Sequence, residues 1–220
     1  ANISGMNSGG AANAETLNLT GAITMTVAQH NGFTTAITAG GGSDQITLSD
    51  GGTVTAAAAI ETYVLANGTN SITLSSTAGQ NVTGNAGADA LILNNSTTYS
   101  GTLALAAGTN VVNMVNGSNL GTATLSASGG SINFTIASGA SVTMKIADNI
   151  FLGAGTATAA GTEQITLSDA GTATGDAAVE TYVMAVGTNN FTIGAAAQNV
   201  TGSTGIDNIY VTGLTATGTY

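Results

Sequence analysis

The stretch from Gly41 to Gly84 occurs a second time from Ala160 to Gly202, and this constrains the fold more than any other feature. Asp44 aligns with Glu163, Gln45-Ile46-Thr47-Leu48-Ser49-Asp50 with Gln164-Ile165-Thr166-Leu167-Ser168-Asp169, and Glu61-Thr62-Tyr63-Val64 with Glu180-Thr181-Tyr182-Val183. The chain therefore carries an internal duplication at an offset of ~119 residues, with one residue lost between Leu74 and Gln80. Long duplicated units made of short segments mark repeat proteins, in which each unit buries its apolar face on its neighbour.

Within and around the two copies, short β-branched or aliphatic runs recur between Gly, Asn, Ser and Ala clusters. Examples are Ile23–Val27, Phe33–Thr38, Gln45–Leu48, Ser71–Leu74, Ala90–Leu93, Ile132–Ile136, Ile150–Leu152 and Gln198–Thr201. Their centres fall about 8–12 residues apart, the spacing of an all-β protein with tight turns. No sustained 3.6-residue period signals a helix, and the Ala56–Ala59 run is too short to hold one.

Sandwich, barrel and solenoid share this spacing. Three properties favour an all-β, parallel β-solenoid of the β-helix or β-roll kind. The strands are short and uniform, the turns are Gly- and Asn-rich, and a chain with 5 Tyr, 4 Phe and no Trp fills only a thin core. Proline is absent, which suits an unbroken ladder of backbone hydrogen bonds. Two strands per coil of about 20 residues give about 11 coils. The expected layout is one solenoid domain over residues 1–220, with copy one at about 33–93, connecting coils at about 94–152 and copy two at about 153–211.

Charge narrows the function classes. Charged residues are 5% of the chain, against roughly 25% in ordinary globular proteins. Eleven carboxylates face a single cation, Lys145, giving a net charge of −10. Nucleic-acid binding needs a basic patch that this chain lacks, whereas a divalent cation is a natural counter-ion. Without cysteine there is neither a disulfide nor a thiolate metal site. No apolar run reaches the roughly 18 residues of a membrane span, and no cationic leader precedes an apolar segment at the start.

Catalysis has little to draw on. The one histidine, His30, is expected in a surface loop, and polysaccharide cleavage would call for Arg or Lys beside paired carboxylates. Glu61 and Glu180 interrupt apolar strands; alternation places Ile60, Thr62 and Val64 on one face and Glu61, Tyr63 and Leu65 on the other. A structural carboxylate bonded to turn amides and a metal ligand are the two readings of that position. Thr-rich strands raise an ice-binding face, but no Thr-x-Thr pattern recurs in register from coil to coil.

Four acidic residues lie in or beside turns that match the calcium nonapeptide Gly-Gly-x-Gly-x-Asp-x-apolar-x. Asp44, Asp89 and Asp207 each sit in a match with one departure, and Glu163 in a poorer one. Glycines permit a tight turn with carbonyls aimed at an ion, and the acid supplies a carboxylate oxygen. These four are the candidate metal ligands, with calcium as the candidate ion. Alternatively each acid accepts backbone N–H bonds at a coil corner.

The succession GGGSDQITLSDGG, AIETYVLANGTNSITL and QNVTGNAGADAL resembles the repeat units of bacterial RTX-type S-layer proteins and large secreted adhesins. In that group an Asp nonapeptide, an Ile/Val-Glu-Thr strand and a Val-Thr-Gly turn alternate along a β-solenoid. The resemblance implies secretion to the cell surface, calcium-stabilised folding and lateral self-assembly. The chain departs from it in lacking tandem nonapeptides and in carrying Glu163 for Asp. The expectation is a structural extracellular protein that self-assembles into a surface layer or filament, the Gly-rich Ala1–Ala14 segment being one route to strand exchange. Its partners would be copies of itself and cell-surface glycan. The alternative is a spacer or binding segment of a large calcium-dependent adhesin.

Overall fold

In Gln45-Ile46-Thr47-Leu48, Ile46 and Leu48 are buried while Gln45 and Thr47 face outward. This period of two repeats in strand after strand and sets the architecture. The computed structural model describes residues 16–33, 37–77, 79–94, 97–152, 157–158 and 161–220. The elements in order are β1 (Leu17–Leu19), β2 (Ala22–Met25), α1 (Val27–Gly32), β3 (Ile37–Ala39), β4 (Gln45–Leu48), β5 (Gly52–Thr55), β6 (Thr62–Val64), β7 (Asn70–Thr73), β8 (Asn81–Thr83), β9 (Asp89–Ile92), β10 (Thr102–Leu105) and β11 (Gly108–Met114). They continue as β12 (Thr124–Ala127), β13 (Gly130–Ile136), β14 (Ser141–Met144), α2 (Ile146–Asn149), β15 (Ala157–Thr158), β16 (Gln164–Leu167), β17 (Thr172–Thr174), β18 (Thr181–Val183), β19 (Gly187–Thr192), β20 (Asn199–Thr201) and β21 (Gly205–Tyr210).

The fold is all-β, with parallel sheets stacked as a β-solenoid. It divides into two compact units, residues 1–94, 99–111 and 123–132, and residues 95–98, 112–122 and 133–220. In the first, β2, β4, β6, β8, β10 and β12 form one parallel sheet, and β5, β7, β9 and the first parts of β11 and β13 contribute to the other. Gln45 opposes Thr62, which opposes Asn81, so each turn takes about 20 residues. Ile46, Tyr63, Leu65, Ile72, Leu74, Val82, Leu91 and Leu103 are wholly buried between these sheets. In the second unit β14, β16, β18 and β20 form one sheet and β17, β19 and β21 another, over a core of Met144, Ile165, Leu167, Tyr182 and Phe191. The rings of Tyr182 and Phe191 lie 4.8 Å apart.

About nine turns are described, fewer than the 11 expected. Residues 1–15, including the Ala1–Ala14 segment, lie outside the described residues, and residues 211–220 form no strand.

Two helices appear where none was expected. α1 starts at a capping box in which Thr26 and Gln29 exchange side-chain and backbone hydrogen bonds. α2 spans a single turn. Both are too short to show a helical period in sequence, and Ile150–Leu152, expected as a strand, belongs to the turn that closes α2. Neither is long and apolar enough to cross a membrane.

The helices also lengthen the duplication. The order β2-α1-β3-β4-β5 returns as β14-α2-β15-β16-β17, and Asp50 accepts a hydrogen bond from the Val27 N–H at 2.7 Å as Asp169 does from Ile146 at 2.7 Å. Over β2 and α1, residues 22–32 against 141–151, only Thr24, Met25 and Ala28 are identical to their counterparts Thr143, Met144 and Ala147.

Candidate functional site

Asp44, Glu61, Glu163 and Glu180 lie at coil corners, Asp89 opens β9 and Asp207 lies within β21, and each is tied to a neighbouring coil. Asp44 is 2% exposed; its Oδ1 accepts from the Gly21 N–H, and its own N–H donates to Glu61 Oε2 at 2.8 Å. Copy two repeats the device. Glu163 is fully buried, its Oε1 accepts from the Gly139 N–H at 3.1 Å, and its N–H donates to Glu180 Oε2 at 2.9 Å. Each acid thus joins three successive coils. Asp44 Oδ2 and Glu163 Oε2 are buried without a hydrogen-bond partner.

Glu61 and Glu180 therefore hold turn amides, as one of the two readings has it. Tyr63 and Leu65 point inward while Thr62 and Val64 point outward, following the expected alternation. Ile60 breaks it and is fully buried, because it enters the core from the turn before β6. Burial raises the Glu180 pKa, and the adjoining Glu163 carboxyl raises it further.

The other two acids stand in a different setting. Asp89 is 1% exposed; Asn70 Nδ2 donates to its Oδ1 at 2.7 Å, and its N–H donates to Asn110 Oδ1 at 3.0 Å. Asn70 and Asn110 also bind back to their own turns, donating to Ala66 O at 2.8 Å and Ala106 O at 3.0 Å. The result is a polar column running through consecutive rungs. In copy two Asn189 Nδ2 donates to Asp207 Oδ1 at 2.7 Å and to Ala185 O at 2.8 Å, and the Ser203 N–H donates to Asp207 Oδ2 at 2.8 Å. Burial pushes the Asp89 pKa up, and the Asn70 amide partly opposes the shift.

The candidate ligands are thus distributed as Asp44 with Glu61, Glu163 with Glu180, and Asp89 and Asp207 each with asparagine. Among the described residues no three of His, Cys, Asp and Glu converge as a metal-holding group.

Sequence reasoning missed the amides. Asn70, Asn110 and Gln80 are as buried as the aliphatic core. Their one sequence signal is that Asn70 and Gln80 return in copy two as Asn189 and Gln198, which a solvent-facing loop amide has no need to do.

His30 is fully buried in α1 and not in a surface loop; its Nε2 lies 3.0 Å from the Tyr63 hydroxyl, with the rings edge to face. Burial lowers its pKa and keeps the imidazole neutral. Asn149 stands at the equivalent place in copy two, donating to Thr174 O at 2.8 Å. There a cleft of about 320 Å³ opens between α2 and β17, lined by Ile146, Ile150, Leu152 and Asp176.

Asp148 beside it is 2% exposed, and burial is the main cause that pushes its carboxyl up to about 6. Lys145 opposes the shift and Asp169 adds to it. An acid raised in the folded state stabilises fully below its unfolded pKa of about 4, and loses that contribution as pH rises through about 6. With solvent screening allowed for, roughly 2 kcal/mol is lost across that window. Melting temperature is expected to fall between pH 4 and pH 7, and Asp148→Asn to flatten the fall; an unchanged slope in the variant would show that Asp148 does not titrate there.

No protein-family model matches the chain, no curated protein matches it in sequence, and no solved structure matches it. The likeness to RTX-type repeats therefore rests on the turn and strand motifs alone.

Proposed function

We propose that the chain is a structural extracellular protein that self-assembles into a bacterial surface layer or filament. The observation that carries this reading is the exposed side of strand β21. Among the described residues β21 pairs with β19 on one side only, and its other edge is open to a further strand. Its side chains are also uncovered. Ile206 is 63% and Tyr210 48% exposed, and Ile209 is half-buried where its copy-one counterpart Leu91, covered by the next rung, is fully buried. A parallel edge with apolar side chains is a template for another chain.

Secretion and calcium binding belong to the same proposal and are supported by the motif resemblance. Light scattering at micromolar protein, with and without millimolar calcium, followed by electron microscopy, tests the assembly. Growth into regular particles is expected; a monomer under both conditions ends the self-assembly reading in favour of an adhesin spacer. Calcium is tested by melting. Bound at Asp44, Asp89, Asp207 or Glu163 at a concentration 100-fold above Kd, it would stabilise by about 2.7 kcal/mol. A melting temperature indifferent to chelator would leave these acids as turn formers only.

A further inference from the structure

The outward side chains of β2, β4, β6 and β8 form two columns, Ala22, Gln45, Thr62, Asn81 and Thr24, Thr47, Val64, Thr83, held in register by the ladder. On β14, β16, β18 and β20 the same columns read Ser141, Gln164, Thr181, Asn199 and Thr143, Thr166, Val183, Thr201. Every pair is identical except Ala22 and Ser141. These residues are half-buried or exposed, so core packing gives no reason for the identity.

The opposing sheets supply the control. Their inward apolar residues have changed between the copies, Val54 to Ala173, Ile72 to Phe191, Leu74 to Ile193 and Leu91 to Ile209, while the inward Asn70 and Asp89 return as Asn189 and Asp207. On their outer side Thr53, Thr55 and Thr73 are kept as Thr172, Thr174 and Thr192, while Ser71 has become Asn190, Ala90 Asn208 and Ile92 Tyr210. The first sheet thus keeps seven of its eight outward pairs along with the inward Ile46, Leu48, Tyr63 and Val82, whereas the opposing sheets keep three of six outward pairs and none of these four apolar core residues. Such a pattern marks a surface that touches something.

We propose that this outward face, present once on the β2–β12 sheet and once on the β14–β20 sheet, is where one copy of the chain packs on another. The inference rests on the self-assembly reading and names its surface. A second copy fits the chemistry for two reasons. First, the columns carry no charged side chain, so in a chain of net charge −10 two of these faces meet without like-charge repulsion. Second, a patch carried twice can meet its own equivalent, as isologous contacts do. Size sets the mode of action. Six rungs at about 4.8 Å, each showing about 10 Å of strand, make roughly 300 Å² on the first unit, well under the ~800 Å² per partner of a stable interface. Single contacts are therefore weak, and repetition of the face supplies the avidity.

The test compares the wild-type chain with Thr47→Lys/Thr166→Lys, which places charge on both faces, and with Thr55→Lys/Thr174→Lys, which places it on the opposing sheets. Folding is checked by circular dichroism and assembly by sedimentation velocity. The face variant is expected to raise the concentration needed for assembly at least about tenfold, and the control to leave it within about twofold. Equal assembly of both variants would overturn the proposed face while leaving self-assembly standing, whereas a wild-type chain that never assembles would remove both. A cysteine-free chain allows a second measurement that needs no disruption. Val64→Cys should give a disulfide-linked dimer on oxidation and Thr73→Cys should not; the reverse result places the contact elsewhere.

Discussion

Gly108→Ala is expected to lower the melting temperature by about 10–20 °C, corresponding to a loss of about 4–5 kcal/mol. Gly108 has φ +115°, and a Cβ on it would stand 2.0 Å from the Gly87 carbonyl oxygen. The same relation recurs one coil earlier, where a Cβ on Gly87 would meet Gly68 O at 2.0 Å. A column of glycines thus lets successive corners stack at ladder spacing, and the contact atoms are backbone, which cannot swing aside. Gly21→Ala is the comparison, because Gly21 has φ +108° with nothing within 4 Å of the new atom. It isolates the conformational cost, about 1–3 kcal/mol. If the two substitutions proved equally harmful in a thermal melt, close stacking at the Gly68–Gly87–Gly108 corner would not be what demands glycine.

That column was half legible. The Gly and Asn clusters between aliphatic runs signalled turns at regular spacing, and the copies fixed the order of strands, so Gln45–Leu48 and its duplicate Gln164–Leu167 were readable as rungs. Local composition does not reveal which turn residue touches which, because partners stand a whole coil apart. The pairs Gly21 with Asp44 and Gly139 with Glu163 are separated by 23 and 24 residues. The same distance hid α1 and α2, whose N-termini are completed by Asp50 and Asp169 from the next coil. Carboxylates in glycine turns drew notice as candidate ligands because acid is rare here. Their partners Asn70, Asn110 and Asn189 did not, because asparagine beside glycine is what any turn contains.

Gln80 shows what such a hidden amide is worth. It is fully buried; its Nε2 donates to Ala57 O at 3.0 Å and Ile60 O at 2.8 Å in the preceding coil, while its Oε1 accepts from the N–H and hydroxyl of Ser75 at 3.1 and 3.2 Å. Gln198 does the same in copy two, with Asp176 O, Val179 O and the Gly194 N–H. Gln80→Leu keeps the volume and strands the Ile60 carbonyl and the Ser75 N–H, each at about 1–3 kcal/mol, while Ala57 O keeps its bond from the Ile60 N–H at 3.2 Å. A loss of about 3–5 kcal/mol is expected by denaturant unfolding, against less than about 1 kcal/mol for Asn81→Ala, whose side chain sits on the partly exposed face. Gln80→Glu separates hydrogen bonding from packing. At pH 7 its carboxylate turns acceptor toward acceptor at Ala57 and Ile60, so it should destabilise at least as much as leucine. Burial and those carbonyls raise its pKa, and the protonated acid regains one donor. Stability lost at pH 7 should therefore return in part as pH falls through that raised pKa toward 4, beyond any change in the Gln80→Leu chain. Parallel pH profiles for the two variants would mean that shape at this corner, and not its amide, holds consecutive coils together.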